Sequence, residues 1–439
     1  MDDVLDPLDQ TMFDLGRATG ATSLIQCVWV YNRAIDIDGL RQFHDHLQRG
    51  RLSRGIERSL LPFGRHRWIS PNGSPDIEIV ASARPREEFD TWLNGQANTP
   101  LDAEHGPGWH LAALPFADGG AGVSLVISHC LTDGLGLFEA LADAALGRDN
   151  PISWHAPASR QRWQALREDA RQTARDTPAI GRAVVAAVRL ARRSRGDASA
   201  ATPLPTRPPA LPAGGDETIT LPTATIFVDA DEWDARAHSL GGTSNALLVG
   251  LAARLAQRLG RVTADGSVVL SMPANERVAG DTRANAASNV YITVDPAPAR
   301  TDLREIRATI KQALIRHREV PDEERAMLSL VPLLPKRLVR VTGSATSVVS
   351  SHLGVINPAA SRPDGTDADY FAVKLLYPGV TKAVMYRLGG LLVLDSGRAH
   401  EQVFVSVIAY QPGRPNSSDG LRQDLSSAVN DFSLAGTYL

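Results

Sequence analysis

The stretch SHCLTDGLG, Ser128–Gly136, places a histidine in the loop between an apolar run and a helical pattern. The run before it, Val123–Ile127, is rich in branched residues and is typical of a buried strand. The segment after it, Leu135–Leu146, has the apolar spacing of a helix. His129 therefore ends a buried strand within a strand–loop–helix unit. It is either a base held in a fixed position or a strand-end residue that only hydrogen-bonds backbone.

Length and composition indicate a two-domain globular protein without a bulk charge. The chain has 439 residues, of which 43% are hydrophobic and 22% charged, and its formal net charge is −3. We therefore expect no electrostatic attraction to nucleic acid. Cys27 and Cys130 lie in apolar runs, as reduced thiols of a cytoplasmic protein do. The acidic start MDDVLDPLDQ is unlike a signal peptide, and no uncharged run reaches the roughly 18 residues of a membrane span.

A proline-rich stretch, GDASAATPLPTRPPALPAGGDE, divides the chain. Proline at this density opposes both helices and strand pairing, so the stretch is predicted to be an extended linker. The expected organisation is an N-terminal half at 1–195, a linker at 196–217 and a C-terminal half at 218–439. In both halves strand patterns alternate with helical ones, which predicts an α/β fold.

Three segments of this pattern carry specific expectations. Val384–Ser396 has two apolar runs around Gly389 and Gly390, which predicts a hairpin with a two-glycine turn. Asp322–Val341 is predicted to be helical. The helical segment Thr177–Arg195 contains five arginines and no acid. It is interpreted either as a packed helix with a solvated basic edge or as a surface that touches anionic lipid or a pantetheine phosphate.

Several catalytic signatures are absent from the sequence. It contains no G-x-S-x-G, P-loop, H-E-x-x-H or C-x-x-C motif, and GLGLFE lacks the third glycine of a dinucleotide site. Serine hydrolase chemistry, nucleotide hydrolysis and metal hydrolysis therefore have no support, and no metal or redox cofactor is expected. Among eleven histidines, only His129 is followed four positions later by an aspartate, and Gly134 extends this pattern to His-x-x-x-Asp-Gly.

HCLTDG, His129–Gly134, resembles the His-x-x-x-Asp-Gly signature of the condensation-domain-like acyltransferase superfamily. That superfamily contains chloramphenicol acetyltransferase, nonribosomal condensation domains and wax ester synthase/diacylglycerol acyltransferases. Four more segments, in the same order, resemble the wax ester synthase branch: Leu5–Gly16, Thr99–Pro115, Ser271–Pro296 and Ser350–Pro358. The likeness covers nearly the whole chain. Two positions depart from that branch: Ser128 replaces the first of two adjacent histidines, and His352 replaces a common asparagine.

The resemblance implies a fold of two chloramphenicol-acetyltransferase-like α/β sandwich halves with a tunnel between them. It implies acyl transfer from a thioester to an alcohol or amine acceptor without a covalent intermediate. His129 would be the general base, and an imidazole that titrates near neutral pH suits that role. Acyl-CoA or an acyl carrier protein would be the partner, so coenzyme A or phosphopantetheine would carry the acyl group. A monomer or dimer in the cytoplasm, with optional peripheral membrane contact, is expected.

Further site residues follow from the same resemblance. Asp133 would pair with Arg277 and hold the histidine loop in shape, although Asp133 also suits a plain helix cap. Gly134 would supply a backbone conformation or a close approach that a side chain blocks. Ser128, Asn289 and Ser351 are candidates for the channel wall or an oxyanion donor; the alternative is that they are ordinary polar residues at strand ends.

Two alternatives to an acyl-CoA acyltransferase remain open. The first is a natural-product condensation enzyme that forms an amide or ester from a carrier-protein-bound acyl group. The second is a non-catalytic relative that uses the tunnel only to hold a ligand. The intact His129, Asp133 and Gly134 argue against the second alternative.

Overall fold

The computed structural model describes residues 3–19, 22–62, 64–71, 76–148, 154–196, 214–278, 280–319 and 348–438. Most of the predicted linker and the predicted helix at 322–341 lie outside these residues. The basic segment belongs to a long helix, but most of its side chains also lie outside the described part, so neither interpretation of its surface is tested.

The elements before the linker alternate between strands and helices. The strands are β1 (Leu24–Tyr31), β2 (Gly55–Glu57), β3 (Arg67–Ile69), β4 (Glu78–Ile79), β5 (Trp109–Pro115) and β6 (Ala121–Ser128). The helices are α1 (Pro7–Thr19), α2 (Ile37–Arg49), α3 (Phe89–Ala97), α4 (Gly134–Ala145) and α5 (Arg162–Gly196). The predicted strand–loop–helix unit around His129 is therefore formed by β6 and α4.

The elements after the linker repeat this mixture. The strands are β7 (Thr223–Asp229), β8 (Val268–Asn275), β9 (Ala287–Val294), β10 (Val348–Val355), β11 (Tyr370–Leu376), β12 (Leu391–Ala399), β13 (Gln402–Tyr410) and β14 (Thr437–Tyr438). The helices are α6 (Ala230–Ser239), α7 (Ser244–Arg258), α8 (Arg304–Glu319), α9 (Lys382–Arg387) and α10 (Ser418–Asn430). Within the described ranges, no helix has the length and apolar character needed to cross a membrane.

Two large sheets organise these elements. The first has five strands in the order β11-β1-β6-β5-β4, and the second has seven in the order β14-β7-β13-β12-β10-β8-β9. The first sheet therefore takes one strand, β11, from the chain after the linker. All eight residues of β1 are buried, and its backbone groups need partners on both sides. β6 supplies one side and β11 the other, both antiparallel, so that Val28 lies between Ser124 and Ala372.

Each half has its own large hydrophobic core, and the core of the first half, like its sheet, includes residues from the second half. In the second half, α7 is buried on nearly every face against the seven-stranded sheet. In the first half, Trp29 is fully buried and packs against Phe371 with ring centroids 5.4 Å apart. Its indole nitrogen donates to the carbonyl oxygen of Ala360 at 2.9 Å. The core of the first half is thus completed by residues from the second.

The predicted hairpin at Val384–Ser396 is wrong in its first arm. Residues 382–387 form the helix α9, which is capped by Thr381, and only the second arm is a strand, β12. Gly389 and Gly390 have φ angles of 66° and 92°, so they end the helix instead of turning a hairpin. The cap overrides the strand-like composition of the first arm, and β12 pairs with β10 and β13 instead.

Candidate active site

His129 is held in place by backbone contacts at the end of β6. The last residue of β6, Ser128, pairs with Leu24 of β1, and the His129 amide donates to the carbonyl oxygen of Ser23 at 2.9 Å. Residues 129–131 then form one short 3₁₀ turn before α4 begins. The imidazole is consequently attached to the end of a strand that is buried along its whole length.

The environment of His129 favours its neutral form. The residue is half-buried, and its Nδ1 is sealed from solvent with no hydrogen-bond partner among the described residues. Burial lowers the pKa of His129 below the ordinary 6.5, while its own carbonyl group, Asp133 and Asn285 act in the opposite direction. Burial penalises the imidazolium more than these groups favour it. The ring is therefore neutral at neutral pH, and Nε2 is the nitrogen available for a substrate proton.

The carboxylate of Asp133 accepts three hydrogen bonds. Its Oδ2 lies 2.8 Å from Arg277 Nη2 and 2.8 Å from the Ala286 amide nitrogen, and its Oδ1 lies 2.7 Å from the Gly136 amide nitrogen. Both arrangements predicted for Asp133, the ion pair and the helix cap, are present together. Because its lone pairs are engaged in these bonds, Asp133 is not placed to act as a second base.

Arg277 connects this loop to the second half. Its side chain is 5% exposed, and besides Asp133 it donates to the carbonyl oxygens of Arg283 and Ala284, each at 3.1 Å. The Asp133 amide in turn donates to the Ala284 carbonyl oxygen at 2.9 Å. Residues 281–286 are therefore bound to the histidine loop from two sides.

A second group of contacts, which sequence reasoning missed, involves Asn285 and Asp9. Asn285 Nδ2 donates to the His129 carbonyl oxygen at 3.0 Å and to Asp9 Oδ1 at 3.0 Å. Asp9 also accepts from the Ala284 and Asn285 amides, and burial raises its pKa to about 6. The signal was available, because Asp9 lies in the segment Leu5–Gly16 that carried part of the resemblance.

Arg54 is a further missed residue, from the loop before β2. It is 3% exposed and donates from Nε to the Leu131 carbonyl oxygen and from Nη1 to the Thr282 carbonyl oxygen, each at 3.0 Å. Burial lowers its pKa to about 10 despite the attraction of Asp9. Arg54 thus binds the histidine loop and the 281–286 segment at the same time, and nothing in its local sequence indicates this.

The sequence predicted a close approach at Gly134, but a side chain has less room at Gly136. A Cβ on Gly134 would lie 3.0 Å from Leu353 Cδ2, the mobile end of a side chain. A Cβ on Gly136 would lie 2.9 Å from Arg277 Nη2 and 3.1 Å from Asp133 Oδ1. A side chain at Gly136 would therefore push directly on the ion pair.

The other three predicted residues are dispersed. Ser128 is buried, with its Oγ 3.2 Å from Cys130 Sγ. Asn289 is exposed on the edge strand β9, whereas the asparagine that contacts the histidine loop is Asn285. Ser351 lies on β10 directly beside Asp395 of β12. The structure therefore places Ser128 next to His129 and leaves Asn289 away from the loop contacts.

Asp395 is a buried acid that the sequence patterns did not single out. It is 6% exposed, and burial raises its pKa to about 7, although hydrogen bonds from Ser351 and from the Leu375 backbone oppose the shift. Its charge also contributes to raising the pKa of Tyr377 to about 12, where burial is the larger cause. A charged residue within the apolar run of β12 is the signal that could have found it.

A cavity of about 670 Å³ adjoins the histidine loop. Ser128 and Cys130, on either side of His129, line it, together with residues from α1 and from the segment 377–391. Its apolar wall consists mainly of Met12, Phe13, Leu15, Leu101, Ala103, Val380, Val384, Met385, Leu388 and Leu391. This volume lies in the range of small-molecule sites. Within the described residues, no group of three His, Cys, Asp or Glu side chains could hold a metal ion.

Solved structures with the same architecture decide the fold. The first condensation domain of the calcium-dependent antibiotic synthetase aligns over 99% of this chain and 97% of its own, with a TM-score of 0.59 and 14% identity. The epimerization domain from the third module of tyrocidine synthetase B aligns over 98% and 95%, with a TM-score of 0.53 and 15% identity. This chain has the condensation-domain fold. The predicted α/β class with two sheet-based halves is thereby confirmed.

A third structure of this fold is the starter condensation domain of rhizomide synthetase, with a TM-score of 0.54, 13% identity and coverage of 98% and 94%. No family model matches the sequence, and no curated protein matches it either. The resemblance to the wax ester synthase branch therefore stays a prediction from the sequence segments.

The Asp133–Arg277 pair generates a stability prediction. Asp133→Ala and Arg277→Ala should each lower the free energy of unfolding by about 3–5 kcal/mol, because each leaves a buried charge unpaired. The double variant should lose no more than Asp133→Ala alone, since both changes act on one network. Denaturant unfolding measures all three. Arg304→Ala, which removes an Arg–Asp pair at the surface, is the control and should stay near wild type. Additive losses in the double variant would contradict the coupling.

Asp395 generates a prediction of pH dependence. Its folded pKa of about 7 exceeds the ordinary 3.8, so the unfolded chain loses this proton first as pH rises. The Asp395 contribution therefore lowers stability between about pH 4 and pH 7 and is constant above that. Asp395→Asn should remove this dependence and stabilise the protein at pH 8 by up to about 4 kcal/mol. Urea unfolding at pH 5 and pH 8 measures it, with Asp38→Asn, an exposed carboxylate, as control. An Asn variant with the wild-type pH dependence would refute the assignment.

Proposed function

We propose that this protein is a condensing acyltransferase. It transfers an acyl group from the phosphopantetheine thioester of a carrier protein to an amine or hydroxyl acceptor. The observation that carries the proposal is the neutral imidazole of His129, held at the end of β6 between Ser128 and Cys130, which both line a large cavity. The structural neighbours described above support a carrier-bound donor, because they are condensation and epimerization domains, all three from named synthetases. Acyl-CoA is the alternative donor.

The proposed chemistry requires only one base. His129 Nε2 takes the proton of the acceptor amine or hydroxyl while the acceptor lone pair attacks the thioester carbonyl carbon. The tetrahedral intermediate then collapses, the carbon–sulfur bond breaks, and the imidazolium returns its proton to the leaving thiolate. Products are an amide or ester and a free thiol, so atoms and charges balance without a cofactor. The lowered pKa of His129 keeps the base in its reactive form at neutral pH.

The environment of Cys130 argues for direct transfer. Its thiol is buried, and burial raises its pKa to about 11. A thiol that stays protonated at neutral pH is a poor nucleophile. Cys130 therefore serves as a small wall residue of the cavity, and the acyl group passes to the acceptor without a covalent enzyme intermediate.

The lining of the large cavity indicates which kind of substrate group it would bind. Its wall is largely apolar, with Phe13 and Tyr377 as the aromatic residues among those that line it. Ser128 and Cys130 line it at the histidine loop. Such a wall binds an apolar acyl or side-chain group through burial of its surface. Asp133, Arg277, Asn285 and Arg54 act as positioning residues, since their contacts hold the loop and the opposing segment.

The proposal predicts thiol release with a defined dependence on His129. Purified protein should release free thiol from an apolar acyl group loaded on a carrier protein, in the presence of an amine or alcohol acceptor. Mass spectrometry should identify the amide or ester. His129→Ala should lower the rate by roughly 10²–10⁴-fold while unfolding at a wild-type temperature. Cys130→Ala is the matched control from the same turn and should stay within a few-fold of wild type.

Comparing carrier-bound donors with acyl-CoA in that experiment distinguishes the alternative functions. Turnover with acyl-CoA but not with carrier-bound donors would replace the carrier protein by coenzyme A. Saturable binding of the same donors without thiol release would make the protein a ligand-binding relative. An acylated Cys130 detected by intact mass would overturn the direct mechanism.

The rate should also depend on pH with a defined sign. The base must be neutral, so activity is lost as pH falls through the folded pKa of His129, which lies below 6.5. With an alcohol acceptor, which does not titrate in this range, the logarithm of kcat/KM should be level from about pH 7 to 8 and fall with unit slope at lower pH. A profile that rises through pH 7 to 8 would contradict a base of lowered pKa.

A further inference from the structure

Acyl transfer requires a hydrogen-bond donor for the thioester oxygen in addition to a base. When the acceptor attacks, an electron pair of the carbonyl double bond moves to that oxygen, and a fixed donor stabilises the charge. Asn289, one of the predicted candidates, is exposed on the edge strand β9. Ser128 has its Oγ 3.2 Å from Cys130 Sγ, and Ser351 lies on β10 of the second sheet. The end of the first sheet offers another donor, which the sequence patterns did not single out.

Three strands of the first sheet end beside one another and place His129, Ser23 and Tyr377 in one row. The register of β1 pairs its first residue, Leu24, with the last residues of β6 and β11. One position further on the three chains come His129, Ser23 and Tyr377, with Ser23 in the middle. The His129 amide donates to the Ser23 carbonyl oxygen at 2.9 Å. Neighbouring strands lie about 4.8 Å apart, so the backbone of Tyr377 is about 10 Å from that of His129.

The side chains of this row belong to the face of the sheet that meets the second half. Side chains alternate between faces, so a residue shares its face with the residue two positions away. Two positions into the sheet from the row lie Ile127, Ile25 and Leu375, which pack in or against the core that also includes residues of β13. Ser23 and Tyr377 both line the large cavity. A substrate group in that cavity therefore lies beside both hydroxyl-bearing residues.

The hydroxyl groups of Ser23 and Tyr377 retain a proton that a substrate can use. The Ser23 hydroxyl bonds to the Tyr377 phenol, whereas Asp395 acts on the phenol through its charge. Two hydroxyl groups that bond to each other use one of their two protons and leave the other for a further acceptor. Burial, with the Asp395 charge, raises the pKa of Tyr377 to about 12. The phenol therefore stays protonated at neutral pH and is a donor, not a base.

We propose that the Tyr377 hydroxyl stabilises the oxyanion of the acyl-transfer intermediate, an assignment that rests on the proposed function. His129 takes the proton of the acceptor while the thioester oxygen gains the electron pair and accepts a hydrogen bond from Tyr377. When the carbon–sulfur bond breaks, the pair returns to the carbonyl double bond and the hydrogen bond weakens. Tyr377 keeps its proton throughout, so the balance of the reaction is unchanged. Ser23 holds the phenol in position from the middle of the row.

A kinetic test uses Tyr377→Phe, which removes the hydroxyl group and keeps the ring. With a carrier-bound donor that wild type turns over, kcat should fall about 10²–10³-fold, as for the loss of one oxyanion donor. KM should stay within a few-fold, because the bond is stronger in the transition state than in the bound substrate. Tyr291→Phe makes the same change at an exposed position of β9 and should keep the wild-type kcat. Both variants should unfold at the wild-type temperature.

The outcomes separate this assignment from the proposed function. A wild-type kcat in Tyr377→Phe would overturn the assignment and leave the proposed function standing. Absence of thiol release from wild type would instead refute the proposed function. A large loss of kcat in Ser23→Ala, with none in Tyr377→Phe, would give the role to Ser23 and also overturn the assignment.

The infrared band of a bound carbonyl group provides a second measurement, which does not depend on turnover. The probe is an acyl-pantetheine analogue in which a methylene group replaces the thioester sulfur, with an isotope label in its carbonyl group. This ketone cannot transfer its acyl group. A hydrogen bond from Tyr377 should move the band to lower frequency in wild type, and Tyr377→Phe should lose the shift. An unshifted band in wild type, or the same shift in both proteins, would contradict the assignment.

Discussion

The carboxylate of Asp133 is the group on which the arrangement of the site depends. It joins three parts of the chain: the start of α4 through the Gly136 amide, the strand β9 region through the Ala286 amide, and the loop after β8 through Arg277. Each of these bonds has an ionised partner and is stronger than a neutral one. Because Asp133 follows His129 by one turn, fixing its carboxylate fixes the ring as well. The Asp133 carboxylate therefore has a structural role in this loop, and in the proposed mechanism the base is His129.

Around this carboxylate, buried side chains bind main-chain carbonyl groups. Arg54 binds the carbonyl oxygens of Leu131 and Thr282, and Asn285 binds that of His129. Backbone groups of an irregular loop cannot pair within a helix or sheet, so side chains have to satisfy them. Such a loop requires buried charged groups, and burial shifts the pKa values of two of them, Asp9 and Arg54. The result is a rigid loop made of residues distant in sequence.

The sequence predicted the features that depend on local pattern. The β6–α4 unit, the α/β class and the Asp133–Arg277 contact followed from hydrophobic spacing and from ordered segments of resemblance. Val384–Ser396 was misassigned because two glycines between apolar runs suit a helix end and a hairpin equally, and the Thr381 cap decided between them. Asn285 was not singled out, because spacing within its segment does not reveal which asparagine faces the histidine loop. Arg54 acts through long-range burial, which no local pattern encodes, whereas Asp395 was overlooked although it is a charged residue within the apolar run of β12.

The strand exchange in the first sheet has a consequence for how the chain folds during synthesis. β1 emerges from the ribosome well before its partner β11, and the Trp29–Ala360 bond spans 331 positions. Until then one edge of the first sheet is an open template for strand addition by other chains. Non-local pairing of this kind slows folding, because the entropy of loop closure is paid before the contact forms. The first sheet can therefore be completed only after β11 has been synthesised.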